Sequence, residues 1–169
     1  SSTRALADLT KSYGGNYTAS AVGEVNVVTE MKAVQAVIGG EGNGGVIYPE
    51  LHYGRDALIG VALFLSLLVD RNQSASQIRA TYPSYFMSKN KITLKTGMDI
   101  DRILNRIEIK YRGNRTSNID GVKIDFLDEW VHLRKSNTEP IIRIYTEAKT
   151  MVSANELADR FISEIKGLF

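Results

Sequence analysis

The sequence predicts a mixed chain, α/β followed by α+β: an incomplete three-layer α/β/α domain and then a small α+β domain with an antiparallel sheet. Two observations carry this. Over residues 1–80, helical periodicity alternates with short apolar runs that end at glycines, which is the pattern of a layered α/β unit. Over residues 121–148, apolar and polar residues alternate strand by strand, as they do in a sheet with one covered face. The change of character falls around residues 88–95, so the expected domains are 1–90 and 91–169.

The elements follow in order. "SSTRALADLTKSYGG" opens on Ser/Thr capping candidates, spaces Leu6 and Leu9 as a helix does, and stops at Gly14 and Gly15. "YTASAV" and "VQAVIGG" are short strand-like runs, the second falling into a glycine loop. "RDALIGVALFLSLLVD" is hydrophobic all round, the signature of a helix sandwiched between layers. A parallel unit that starts on a helix lacks the strand that should feed it, so either the sheet is small or the chain is part of a longer one.

After a short helix near 74–80 that Pro83 ends, "YFMSKNKITL" alternates as a strand. "MDIDRILNRIEIKY" puts Ile100, Ile103, Leu104 and Ile107 on one helical face. "GVKIDFLDEWVHLR" reads as a hairpin turning at Leu127, Asp128 and Glu129. "IIRIYTEA" is a further strand, and Ser153 is the expected cap of a last helix carrying Leu157, Phe161, Ile162 and Ile165.

Bulk composition sets limits. In 169 residues, 43% are hydrophobic and 24% charged, with a net charge of +2, too mild to announce a nucleic-acid or membrane partner. Cysteine is absent, which excludes disulfides, thiolate metal sites and cysteine nucleophiles and leans to a reducing, cytoplasmic setting. The sequons at Asn16, Asn72 and Asn114 are read as chance matches. The apolar window 57–69 is shorter than the roughly 18 to 20 residues a membrane span needs.

Two loops carry the chemistry. "VIGGEGNGGVIYPE", residues 37–50, holds five glycines with Glu41 and Asn43 among them. Its G-x-G-x-x-G spacing is not a dinucleotide fingerprint, because Val46, Ile47, Tyr48 and Pro49 follow where a helix should begin. A bare glycine turn with a solvated carboxylate is the bland alternative; a carboxylate beside an amide suits vicinal hydroxyls, and so a sugar. "RKSNTEPIIR", residues 134–143, groups two arginines, two hydroxyls and an amide, the donor set of a phosphate site. Its bland alternative is a polar hairpin loop. "KYRGNR" reads as a cationic helix end rather than a nucleic-acid contact. His52 and His132 stand apart from other ligand types and support no metal site.

Taken as a pair, "GGEGNGG" resembles the sugar-binding loop in the third domain of the α-D-phosphohexomutase superfamily, and "RKSNTEPIIRIY" its fourth-domain phosphate loop. "GRDALIG" and "DGVKIDFLDEWVHLR" also resemble family segments. The resemblance implies that residues 1–90 are a third domain without its first strand and that residues 91–169 are the fourth. It implies phosphohexomutase activity, with glucosamine phosphate favoured over mannose or glucose phosphate because "EGNGG" is similar to the archaeal-type phosphoglucosamine mutases. A stand-alone phosphosugar-binding module is the alternative from another class.

Carried over residue by residue, the resemblance gives Glu41 and Asn43 to the sugar hydroxyls. Arg134, Ser136, Asn137, Thr138 and Arg143 would hold the phosphate that is not being transferred. The catalytic phosphoserine belongs to the family's first domain and the Mg2+ loop to its second; neither motif occurs here, so this chain alone is expected to be inactive. The implied partners are a hexose or hexosamine phosphate, a hexose 1,6-bisphosphate intermediate, and the two N-terminal domains.

Overall fold

In a computed structural model, residues 2–94, 97–136 and 138–168 are described. The chain divides into two compact units, Ser2–Pro83 and Ser84–Phe169. The expected boundary at 90/91 falls inside a strand, Phe86–Thr93, which pairs along its whole length within the second unit.

The first unit begins with α1 (Arg4–Ser12), capped by Thr3, whose hydroxyl accepts from the Ala5 N–H at 3.2 Å. Next come α2 (Glu24–Ala33), β1 (Gly39–Gly40), β2 (Val46–Ile47), α3 (Ala57–Arg71) and α4 (Ala75–Ala80). Asp56 caps α3 by accepting from the Leu58 and Ile59 N–H groups, and Ser74 with Gln77 closes a reciprocal capping box on α4. The core of this unit is small: Val27, Met31 and Ile47, with Val28 and Ala36 against them.

Three expectations fail here. Residues 17–22 form no strand, because a ladder needs a neighbour and among the described residues none pairs with them. The run 34–40 contributes only Gly39 and Gly40, so the pairing seen among the described residues of this unit is a two-residue antiparallel ladder and one isolated bridge, Tyr48 to His52. The helix at 57–71 forms as expected, yet none of its residues is buried, and Leu58 is 80% exposed. A four-residue ladder cannot cover a fifteen-residue apolar helix, so the sandwich that its composition calls for is not built from these residues.

The second unit is an α+β domain. Its five-stranded antiparallel sheet has the order β3 (Phe86–Thr93), β7 (Ile141–Ala148), β6 (Trp130–Lys135), β5 (Val122–Asp125) and β4 (Arg115–Ser117). Helices α5 (Ile100–Lys110) and α6 (Met151–Lys166) cover one face. Ile92, Val122, Ile124, Val131, Leu133, Ile142 and Ile144 point into that core and meet Ile103, Leu104, Ile107, Leu157, Phe161 and Ile165. The side-chain period of two therefore sends Lys91, Lys123, His132, Arg134, Arg143 and Tyr145 to the opposite face.

The β5–β6 hairpin turns where expected, with the Phe126 N–H donating to Glu129 O at 2.9 Å. The cap of α6 is Thr150, whose side chain accepts from the Ser153 N–H at 3.0 Å, so Ser153 lies inside the first turn instead of capping it. β4, in a stretch read only as cationic, is a short edge strand. Among the described residues no helix is long and apolar enough to cross a membrane.

Candidate functional site

In the first unit the glycine loop is a tight hairpin. Gly39 pairs with Ile47 and Gly40 with Val46, and the loop closes through Glu41 N–H to Gly45 O and Gly44 N–H to Glu41 O, each 3.1 Å. A side chain at position 40 would run into the Gly45 carbonyl, so the narrow mouth of this hairpin requires glycine there. Glu41 and Asn43 thus stand two residues apart on one tight turn. Asn43 is exposed, and its Oδ1 accepts from the Gly45 N–H at 3.0 Å. The half-buried Glu41 carboxylate accepts from the Gly23 N–H at 3.3 Å, tying the loop to the start of α2. Each side chain keeps hydrogen-bonding capacity beyond that single bond, since a carboxylate accepts through both oxygens and an amide also donates.

Neighbouring polar groups in this unit are committed to structure. Arg55 pairs with Glu24 (Nε to Oε2, 2.9 Å). His52 Nδ1 accepts from the Gly54 N–H at 3.0 Å, so its proton sits on Nε2, which donates to Asp56 Oδ2 at 3.2 Å. The backbone N–H of Ile59 at the head of α3 is the main cause that holds the Asp56 carboxyl below its ordinary range; Leu58 and His52 add to it.

In the second unit the cationic loop joins β6 to β7. Arg134 and Arg143 are direct register partners across these strands, and Lys91 on β3 is the partner of Arg143 on its other side. One row of the open face therefore reads Lys91, Arg143, Arg134. Arg143 is exposed and has no ion-pair partner among the described residues. Arg134 is half-buried, its Nε 2.9 Å from Asp120 Oδ2, close enough for an ion pair but out of line for a hydrogen bond. Asp120 is brought there by Gly121, whose φ of +78° and tight approach to the Leu133 carbonyl leave no room for a side chain.

The turn between the strands presents two hydroxyls. Ser136 N–H donates to Ile141 O at 3.0 Å, and Ser136 Oγ lies 3.4 Å from both Thr138 Oγ1 and Thr138 N. Asn137 lies outside the described residues. Lys135 leaves the group: on the helix-covered side it binds Asp101 through both carboxylate oxygens, at 2.9 and 2.7 Å. Sequence reading missed Lys91 and Asp120. The alternation in "SKNKITL" marks Lys91 as facing one side of a strand, but not which strand it lies beside.

The charged groups of the other rows of that face are engaged by neighbours within it. Trp130 Nε1 donates to the buried Glu147 carboxylate at 2.7 Å, Lys123 pairs with Asp125 at 2.6 Å and lies over the Trp130 ring, and Lys89 lies over Tyr145. His132, 6% exposed, bonds the Asp120 carbonyl through Nε2; burial pushes its pKa down to about 4. Among the described residues no group of three His, Cys, Asp or Glu side chains could hold a metal ion. The implied magnesium thus has no fitting donor set in these residues and enters no step assigned to them.

A family model described as phosphoglucomutase/phosphomannomutase, alpha/beta/alpha domain III, matches residues 1–85. A second, the C-terminal domain of the same family, matches residues 89–164. The phosphoglucosamine/phosphogalactosamine mutase of Sulfurisphaera tokodaii is 38% identical over 148 residues, covering 86% of this chain and 32% of that protein. The phosphoglucomutase/phosphomannomutase of Thermococcus kodakarensis is 33% identical over 153 residues, covering 89% and 33%. The crystal structure of a phosphoglucomutase/phosphomannomutase family protein from Burkholderia thailandensis superposes with a TM-score of 0.78 at 24% identity, over 98% of this chain and 35% of that one. The chain spans about a third of the length of the curated relatives it matches.

Proposed function

We propose that this chain, which belongs to the phosphoglucomutase/phosphomannomutase family, supplies the sugar- and phosphate-binding parts of a phosphohexomutase that interconverts hexosamine 1-phosphate and 6-phosphate. The observation that carries the reading is the register pairing of Arg134 with Arg143 beside the Ser136 and Thr138 hydroxyls. Two guanidinium groups set side by side on a sheet repel each other unless an anion lies between them, and forked donors with hydroxyls suit a phosphate.

In this reading Glu41 and Asn43 bond the sugar hydroxyls. Arg134, Ser136, Asn137, Thr138 and Arg143 hold the phosphate that stays in place. A phosphoserine outside these residues gives its phosphoryl group to the free sugar hydroxyl: the serine O–P bond breaks, the sugar O–P bond forms, and the hydroxyl proton ends on the freed serine oxygen. The bisphosphate then returns its other phosphoryl group to the same serine. This chain contributes binding energy away from the reacting atoms, which positions the reaction.

The name of the Sulfurisphaera relative supports glucosamine phosphate as the substrate. That of the Thermococcus relative favours a second reading, with glucose and mannose phosphates turned over by the same site. Calorimetric titration of the chain with glucosamine 6-phosphate, glucose 6-phosphate and mannose 6-phosphate, each with and without competing inorganic phosphate, tests both. Tightest binding of the amino sugar, displaced by phosphate, is expected. Equal binding of all three favours the second reading, and binding that phosphate does not displace contradicts the phosphate site.

A further inference from the structure

Across β3, β7 and β6 the register sets Lys91 opposite Arg143 and Arg143 opposite Arg134, so three cations lie in one row on the face away from the helices. Like charges directly opposite each other on a sheet destabilise it. The next two rows along the sheet engage their charged groups within the face. In one, Lys89 rests on the Tyr145 ring, Lys123 is paired with Asp125, and His132 is neutral. In the other, the Trp130 indole N–H bonds the Glu147 carboxylate.

The cation row has one carboxylate, Asp120, on Arg134. Lys91 and Arg143 are exposed, and neither has an ion-pair partner among the described residues. Lys135 is next to the row in sequence but points to the other face, onto Asp101. Among the described residues the uncompensated charge of this row is therefore on Lys91 and Arg143, at the end of the sheet where the Ser136 and Thr138 turn lies.

From this juxtaposition we infer that Lys91 is a further phosphate-positioning residue, contributing an ammonium group from β3 to the oxyanion held by Arg134 and Arg143. The inference rests on the phosphate-site reading above. Its chemistry differs from that of the arginines: Lys91 is a point charge on a flexible stem, so it adds attraction to a phosphate dianion without fixing its orientation.

The test is titration of the full 169-residue chain with inorganic phosphate at several salt concentrations. Lys91→Met should weaken phosphate about fivefold and flatten the salt dependence, with the thermal midpoint held within a degree or two. Lys91→Arg should restore most of the affinity. Lys89→Met, one row away, should leave affinity within about twofold. If Lys91→Met binds phosphate as the unaltered chain does while Arg143→Ala loses it, the role of Lys91 is overturned and the phosphate site stands. If the unaltered chain binds no phosphate, both fall.

Discussion

Arg134 and Arg143 face each other as register partners across β6 and β7, yet among the described residues only Arg134 has a carboxylate, Asp120, beside it. One arginine is anchored by an ion pair, and the other has none among the described residues. Asp120→Asn should therefore loosen Arg134 and weaken phosphate binding without removing a donor, by about 1 kcal/mol, whereas Arg143→Ala should lose about 1.5 to 3 kcal/mol. Calorimetry with inorganic phosphate on both variants checks the order; an equal or larger loss in Asp120→Asn contradicts it.

The chain by itself should show no mutase turnover. Supplied with glucose 1,6-bisphosphate, magnesium and any hexose or hexosamine 1-phosphate, it is expected to leave the substrate unchanged in a coupled assay, because the phosphoserine is not among the residues assigned here. Turnover that survives purification to homogeneity contradicts that division of labour.

His132 makes the second unit sensitive to acid. Burial lowers its pKa to about 4, while in the unfolded chain it titrates near ~6.5. The folded state therefore binds fewer protons than the unfolded state between these values. Its contribution is complete above about pH 6.5 and declines as pH falls towards 4, by on the order of 3 kcal/mol. Urea denaturation at pH 7.5 and 4.5 should show a fall that is smaller in His132→Asn; an unchanged difference contradicts the assignment.

The Tyr111 hydroxyl donates to Glu164 Oε1 at 2.6 Å, where Lys110 also binds the carboxylate at 2.9 Å. Burial, then the bond to Glu164, push the phenol up to about 12. Stability from this group is full below about pH 10 and lost as pH rises through 12. Tyr111→Phe should cost about 1 to 2 kcal/mol at neutral pH and leave one fewer tyrosine titrating at high pH in an ultraviolet pH titration.

Thr150→Ala should destabilise α6 by about 1 kcal/mol, and Ser153→Ala by clearly less, because Thr150 is the residue that accepts from the backbone. Thermal melts of the two variants decide it; a larger loss for Ser153→Ala contradicts the cap seen here.

What the sequence made legible was local. The β5–β6 hairpin was readable because Val122, Ile124, Val131 and Leu133 alternate about a polar turn, and α5 because Ile103, Leu104 and Ile107 recur at helical spacing. Both loops and all their candidate side chains could be named on residue chemistry. Pairing is not local, and that is where the reading stopped. Nothing near Lys91 in the chain says that β3 lies against β7, and nothing in "RTS" marks β4 as a strand until β5 lies beside it. The apolar helix at 57–71 was evident, but its burial depended on a second layer that these residues do not build.

If the two loops do different jobs, one paired titration separates them: Glu41→Gln and Arg143→Ala, each measured against inorganic phosphate and against glucosamine 6-phosphate. Glu41→Gln should lose about 1.5 to 3 kcal/mol for the sugar phosphate and bind inorganic phosphate as before. Arg143→Ala should weaken both ligands. Equal loss of phosphate affinity in the two variants, or full retention of sugar-phosphate binding in Glu41→Gln, contradicts the account.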